Sequence, residues 1–127
     1  MPTAIVVDDA KVIRLLLEDI LNDLGYESRH AAHGQEALDV LRDAPEISLA
    51  LVDWNMPKMN GLDLVKAMRA DLRFSSITIV MVTSEADIRH ITEALEAGAD
   101  DYVMKPFNAD VIAEKLLLLG LVQGQST

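Results

Sequence analysis

The chain has 127 residues, half of them apolar, which suits one compact domain with its own core and leaves no room for a second. Eleven basic residues against twenty-one acidic ones give a net charge of −10, a balance that repels phosphate backbones and anionic lipid, so direct nucleic-acid binding is not expected. Cysteine is absent, which excludes disulfides and thiolate metal sites, and no apolar stretch approaches the ~20 residues that span a bilayer. A soluble cytoplasmic domain without membrane insertion is the expectation.

In chain order, the apolar run Ala4–Val7 predicts a first strand and ends in Asp8-Asp9. Ile13, Leu16, Leu17, Ile20 and Leu24 then form one face of a helix closed by Gly25. Ser28–Ala31 predicts a second strand, the most polar of the set, and Ala37, Leu38 and Leu41 a second helix before Pro45. Leu49–Val52 predicts a third strand that delivers Asp53 into the turn Trp54-Asn55-Met56-Pro57-Lys58-Met59-Asn60-Gly61. A third helix carries Leu62, Leu64, Val65 and Met68, and the fourth strand, Ile77–Val82, runs into Thr83. Ile88, Ile91 and Leu95 mark a fourth helix before Gly98, Tyr102–Met104 a fifth strand before Lys105-Pro106, and Ile112, Leu116 and Leu119 a fifth helix. Leu117 and Leu118 lie about 100° and 200° around that helix from Leu116, so at least one is expected on the surface. Residues 1–122 therefore read as one α/β domain and 123–127 as a polar tail. Strand and helix alternate throughout, and right-handed crossovers predict a five-stranded parallel sheet flanked by five helices.

Strand C-termini of an open parallel sheet share one edge, so Asp8, Asp9, Asp53, Thr83 and Lys105 are expected to converge there. Carboxylates at close range raise one another's pKa unless a positive charge sits among them, and an all-oxygen set favours Mg²⁺ or Mn²⁺ over Zn²⁺. The plainer alternative is a solvated acidic rim in which Asp9 satisfies orphan amides of the first helix. Asp53 is the nucleophile candidate, because a carboxylate can accept a phosphoryl group as an acyl phosphate. Lys105 supplies a fixed countercharge, and the Thr83 hydroxyl can donate to a phosphoryl oxygen. His30, His33 and His90 read as surface histidines rather than a zinc site.

Taken together, Asp8-Asp9, Asp53-Trp54-Asn55-Met56-Pro57, Met81-Val82-Thr83-Ser84-Glu85, Tyr102 and Lys105-Pro106-Phe107 resemble the receiver domain of two-component response regulators, from about Ala4 to Val122. Within that family the chain is most similar to single-domain chemotaxis regulators of the CheY type. The resemblance implies a flavodoxin-like sheet in the order 2-1-3-4-5, with Asp53 as phosphoacceptor for a histidine kinase. It implies that Asp9 ligates Mg²⁺ directly, Asp8 largely through water and Asn55 through its backbone carbonyl, with Asp53 also in the metal set, while Thr83 and Lys105 hold phosphoryl oxygens. Further implications are a Thr83–Tyr102 switch, hydrolysis tuned by Asn55 and Glu85, and a cis Lys105–Pro106 peptide. Kinase docking would involve Ala10, Lys11, Arg14 and Glu18. Output would use the fourth helix, fifth strand and fifth helix, through Ile91, Leu95, Tyr102, Leu117 and Leu118, toward a downstream protein or a phosphorylation-dependent homodimer. Asp87-Ile88-Arg89 departs from the basic surface with which that type meets the flagellar motor.

Two alternatives accompany this reading. The chain is also consistent with a receiver excised from a multidomain regulator or hybrid kinase. A Mg²⁺-dependent aspartyl-phosphate phosphatase is the rival of another class, but such enzymes carry a second aspartate two residues after the nucleophile, where this chain has Asn55. The expected role is a signalling switch that supports its own phosphotransfer and dephosphorylation, not a metabolic enzyme.

Overall fold

The computed structural model describes residues 1–57 and 59–122, apart from the side chains of Glu85 and Ala86. Its strands are β1 (Thr3–Val7), β2 (Glu27–Ala31), β3 (Ile47–Asp53), β4 (Thr78–Thr83) and β5 (Asp101–Met104). The α-helices are α1 (Lys11–Asp23), α2 (Gly34–Asp43), α3 (Gly61–Arg69), α4 (Ile91–Ala97) and α5 (Ala109–Leu118). The strands pair in parallel in the order β2-β1-β3-β4-β5.

Alternation along each strand sorts side chains onto two faces. On β1, Ile5 and Val7 join the cluster covered by α2, α3 and α4, whereas Ala4 and Val6 join the one covered by α1 and α5. The central strands are apolar on both sides because both faces are covered, as parallel sheets require. β2 is the exception, with Glu27 and Arg29 exposed, and its position at the sheet edge accounts for its polar sequence. Leu117 and Leu118 are exposed while Leu116 is buried, as the helical angle demands.

Helix starts are set locally. Asn60 and Asn108 cap α3 and α5 by accepting the amides of Asp63 and Val111, each at 2.9 Å. His33 caps α2 through Nδ1, which accepts the Glu36 amide at 3.2 Å, while the Glu36 carboxylate takes the Ala32 amide at 2.9 Å. The pair is related to a capping box, but the carboxylate reaches one residue further back, to the amide before the N-cap, and an imidazole replaces the hydroxyl. The fourth helical segment departs from a single α-helix: Glu85–His90 is a 3-10 turn, and α4 begins only at Ile91. The Asp87 amide donates to the Ser84 carbonyl at 3.0 Å, the i to i+3 bond that tightens this turn.

Candidate functional site

The parallel register places the C-terminal ends of β1, β3, β4 and β5 on one rim, pairing Val7 with Val52, Asp53 with Val82 and Thr83 with Met104. Asp8, Asp53 and Thr83 are almost wholly buried there, at 1%, 6% and 1% exposure, while Asp9 is exposed. One oxygen from each of Asp8, Asp9 and Asp53 lies within 4.8 Å of the others. Lys105 Nζ bridges two of these carboxylates, 3.1 Å from Asp8 Oδ2 and 3.3 Å from Asp53 Oδ1. The Lys105 backbone is itself pinned, its amide donating to the Thr83 carbonyl at 2.7 Å. The Lys105–Pro106 peptide is cis.

Local contacts fix each carboxylate. Asp8 Oδ1, and not Asp9, accepts the Ala10 amide at 2.8 Å in the turn that leads into α1, whose N-cap residue Ala10 has no side-chain cap bond. The Asp8 carbonyl accepts from an Arg14 Nη at 2.7 Å. The Gly61 amide donates to the Trp54 carbonyl at 2.9 Å, and a Cβ at Gly61 would meet the Asp53 carbonyl oxygen at 2.5 Å. Only glycine lets α3 begin this close to the Asp53 turn.

Burial first, and then the neighbouring charge of Asp8, push the Asp53 carboxyl up from 3.8 to about 6, with Lys105 pulling the other way. Burial also works against the Lys105 ammonium, yet Asp53 and Asp8 outweigh it and raise its pKa. Three carboxylates thus face one ammonium, and the excess of two negative charges is what one divalent cation neutralises. The all-oxygen donor set and the open side at Asp9 suit a hard cation that keeps several waters, so these residues fit Mg²⁺.

Thr83 Oγ1 donates to the neighbouring Ser84 carbonyl at 3.4 Å, and among the described residues it has no hydrogen bond to Asp53 or Lys105. Tyr102 is half-buried on edge strand β5 and packs with Ile91 against the cluster under α3 and α4. Leu95 is partly exposed and Leu118 largely so, whereas Leu117 lines a cavity with Asp23, Leu24 and Gly25 at the end of α1, so it stands apart from the output face expected for it. Asn55 is exposed next to the rim, whereas the Glu85 side chain and residues 123–127 lie outside the described residues.

Several contacts had no signal in the sequence. Lys115 on α5 pairs with Asp101 at 3.1 Å, and its ammonium stands 5.5 Å from the Tyr102 ring centroid. Trp54 stacks on His90, with ring centroids 5.1 Å apart and planes 5° from parallel. His30 pairs with Glu18 at 2.9 Å. These partners are joined only by tertiary packing.

The family description of the response regulator receiver domain matches residues 4–117. The chain is 45% identical over 113 residues to the chemotaxis protein CheY1 of Helicobacter pylori, covering 88% of this chain and 91% of that protein. It is 41% identical to a chemotaxis protein CheY homolog of Campylobacter jejuni, covering 88% and 87% respectively. The solved structure of the chemotaxis protein CheY4 of Vibrio cholerae superposes with a TM-score of 0.86 at 34% identity, covering 93% of this chain and 98% of that one.

Proposed function

The chain belongs to the response regulator receiver family, and from that premise we propose a phosphorylation-driven signalling switch in which Asp53 takes a phosphoryl group from a histidine kinase. The relatives named as chemotaxis proteins favour chemotaxis as the pathway. The observation that carries the reading is Asp53 itself, buried at a strand end between the carboxylate of Asp8 and the ammonium of Lys105.

In the proposed transfer, an Asp53 carboxylate oxygen attacks phosphorus, the phosphorus–nitrogen bond of the donor phosphohistidine breaks, and the bonding pair leaves with the imidazole, which takes up a proton. Mg²⁺ or Mn²⁺, when bound, supplies the charge that lets an anionic donor approach an anionic acceptor. Asp8, Asp9, Asp53 and the Asn55 carbonyl are the groups that would hold it. Lys105 keeps an ammonium at the acceptor oxygen before transfer and turns it to a phosphoryl oxygen afterwards. The Thr83 hydroxyl exchanges its long bond to Ser84 for a phosphoryl oxygen. Tyr102 then reorients, and the face of α4, β5 and α5, with Ile91, Leu95 and Leu118, changes its affinity for a downstream protein or a second copy of the chain. Hydrolysis of the acyl phosphate, with Asn55 and Glu85 flanking the water, resets the switch.

Intact mass after incubation with acetyl phosphate and Mg²⁺ tests this directly. The parent protein should gain about 80 Da, one phosphoryl group, and Asp53→Asn or added EDTA should abolish the gain. A full gain in Asp53→Asn would place the phosphoryl group elsewhere and end the assignment.

A further inference from the structure

The contact between Trp54 and His90 joins the turn after the phosphoacceptor to the turn after Thr83. We propose that this stack is a latch of the resting state: His90 is a positioning residue that holds the 3-10 turn Glu85–His90 against the Asp53–Trp54 turn and so opposes engagement of Thr83. The inference rests on the phosphoacceptor reading of Asp53 given above.

The geometry supports a specific contact, since the rings lie nearly parallel at 5° with centroids 5.1 Å apart, within the range of an offset aromatic stack. Trp54 is the fixed partner. It follows Asp53 directly, packs against the core and has its carbonyl tied to the Gly61 amide at 2.9 Å. His90 is the last residue before α4, and its side chain makes no capping bond there. Among the described residues its ion-pair neighbour is Glu93 of α4, 3.6 Å away and largely exposed. The His90 ring therefore has the indole as its closely packed partner and only a long, exposed contact to the helix it precedes.

The segment between Thr83 and His90 is short and internally braced. Ser84 Oγ bonds the Asp87 carboxylate at 3.0 Å, and the Asp87 amide bonds the Ser84 carbonyl at 3.0 Å. A shift at Thr83 is carried along such a turn instead of being absorbed within it. Here Thr83 points its hydroxyl at the Ser84 carbonyl and the stack is closed. Drawing Thr83 toward Asp53 moves the braced turn while Trp54 stays anchored through Gly61. In the proposed latch, that movement carries His90 off the fixed indole, so engagement of Thr83 is coupled to opening of the stack.

Two readouts test the latch, the rate of labelling by acetyl phosphate with Mg²⁺ and the emission of Trp54, the sole tryptophan of the chain. His90→Ala should label roughly two- to tenfold faster than the parent, the range that one aromatic pair supplies. Its resting emission should already resemble that of the beryllofluoride-bound parent, and adding beryllofluoride should change it little. His90→Phe restores a ring without an imidazole and should return both rate and emission response to near the parent values. Coincident thermal midpoints for the three proteins would show that the rates do not report misfolding. If the parent gains mass but His90→Ala labels at the parent rate, or His90→Phe is as fast as His90→Ala, the latch is wrong and the phosphoacceptor reading stands. A parent that gains no mass overturns both.

Discussion

Ionising Asp53 puts a charge in a buried position beside Asp8, and Lys105 offsets the cost only in part, so the carboxyl titrates at about 6 rather than 3.8. Since the folded-state pKa lies above the unfolded one, the native state binds more protons between about pH 4 and 6, and metal-free stability falls as pH rises through that window. Above it the penalty is fully present, on the order of 2–3 kcal/mol from the size of the shift. Asp53→Asn should therefore stabilise the EDTA-treated protein by about 1–3 kcal/mol in urea melts at pH 7.5, with the gain shrinking to nothing near pH 4. Adding Mg²⁺ should erase the difference, because only the parent gains binding energy from a cation held by Asp53. A gain that is independent of both pH and Mg²⁺ would mean that Asp53 is not the strained carboxylate. At the same rim, Asp9→Ala should weaken Mg²⁺ binding, read by Trp54 emission, more than Asp8→Ala does. Asp8→Ala should instead cost stability, since it frees Lys105 and the Ala10 amide from their partner. If neither variant titrates differently from the parent, the acidic pair serves the helix alone.

Between elements, Arg69 at the end of α3 is the main polar tie. Its guanidinium donates to the carbonyls of Gly98, Phe74, Ser75 and Ile77, at 2.8 to 3.2 Å, and to the Asp100 carboxylate at 3.0 Å. Asp100 Oδ2 in turn accepts the Ile79 amide at 2.8 Å, so one side chain joins α3, the start of β4 and the turn into β5. Arg69→Ala should cost about 2–4 kcal/mol in denaturant unfolding, and Arg69→Lys should recover little, because a single ammonium cannot serve so many divergent acceptors. Equal stability of the alanine variant would show that water replaces these bonds. Nothing in the sequence singles out Arg69, whereas the element order was legible throughout. Doubly covered strands such as Leu49–Val52 are marked by unbroken apolar runs, and α1 by its apolar stripe. The polar β2 was weakly marked because an edge strand buries only part of one face. The split of the fourth helix into a 3-10 turn and a short α4 was invisible, since Ile88, Ile91 and Leu95 fit a single α-helical stripe. The rim residues were legible because strand ends must converge, but the bridging of Asp8 and Asp53 by one ammonium, and the stack of Trp54 on His90, follow from packing alone.

At the scale of the whole molecule, a domain of charge −10 carries apolar side chains on two separate surfaces. Beside the rim, Val12, Leu15 and Leu16 are exposed on α1, and Ile13, Leu16, Lys105, Pro106 and Phe107 line a shallow apolar cavity of about 310 Å³. In the proposed transfer, the donor histidine would approach over this surface. Arg14 is a poor probe of that approach, because its guanidinium holds the Asp8 carbonyl and a charge reversal there would disturb the rim itself. Val12→Asp with Leu15→Asp should slow transfer from the kinase while leaving acetyl phosphate labelling intact, and equal loss from both donors would indicate damage to the site. Leu95 on α4 and Leu118 on α5 supply the second set of exposed apolar side chains, on the face proposed to respond through Tyr102. Mutual repulsion between such acidic chains should keep self-association weak until this patch is reorganised, which favours a specific protein contact in the activated state. Beryllofluoride with Mg²⁺ should therefore raise partner affinity or produce a dimer by light scattering, and Leu95→Asp should weaken that response at least several-fold without slowing phosphorylation. Identical mass, partner binding and amide exchange across residues 88–119 in resting and activated protein would show that occupancy of Asp53 is not transmitted to this face.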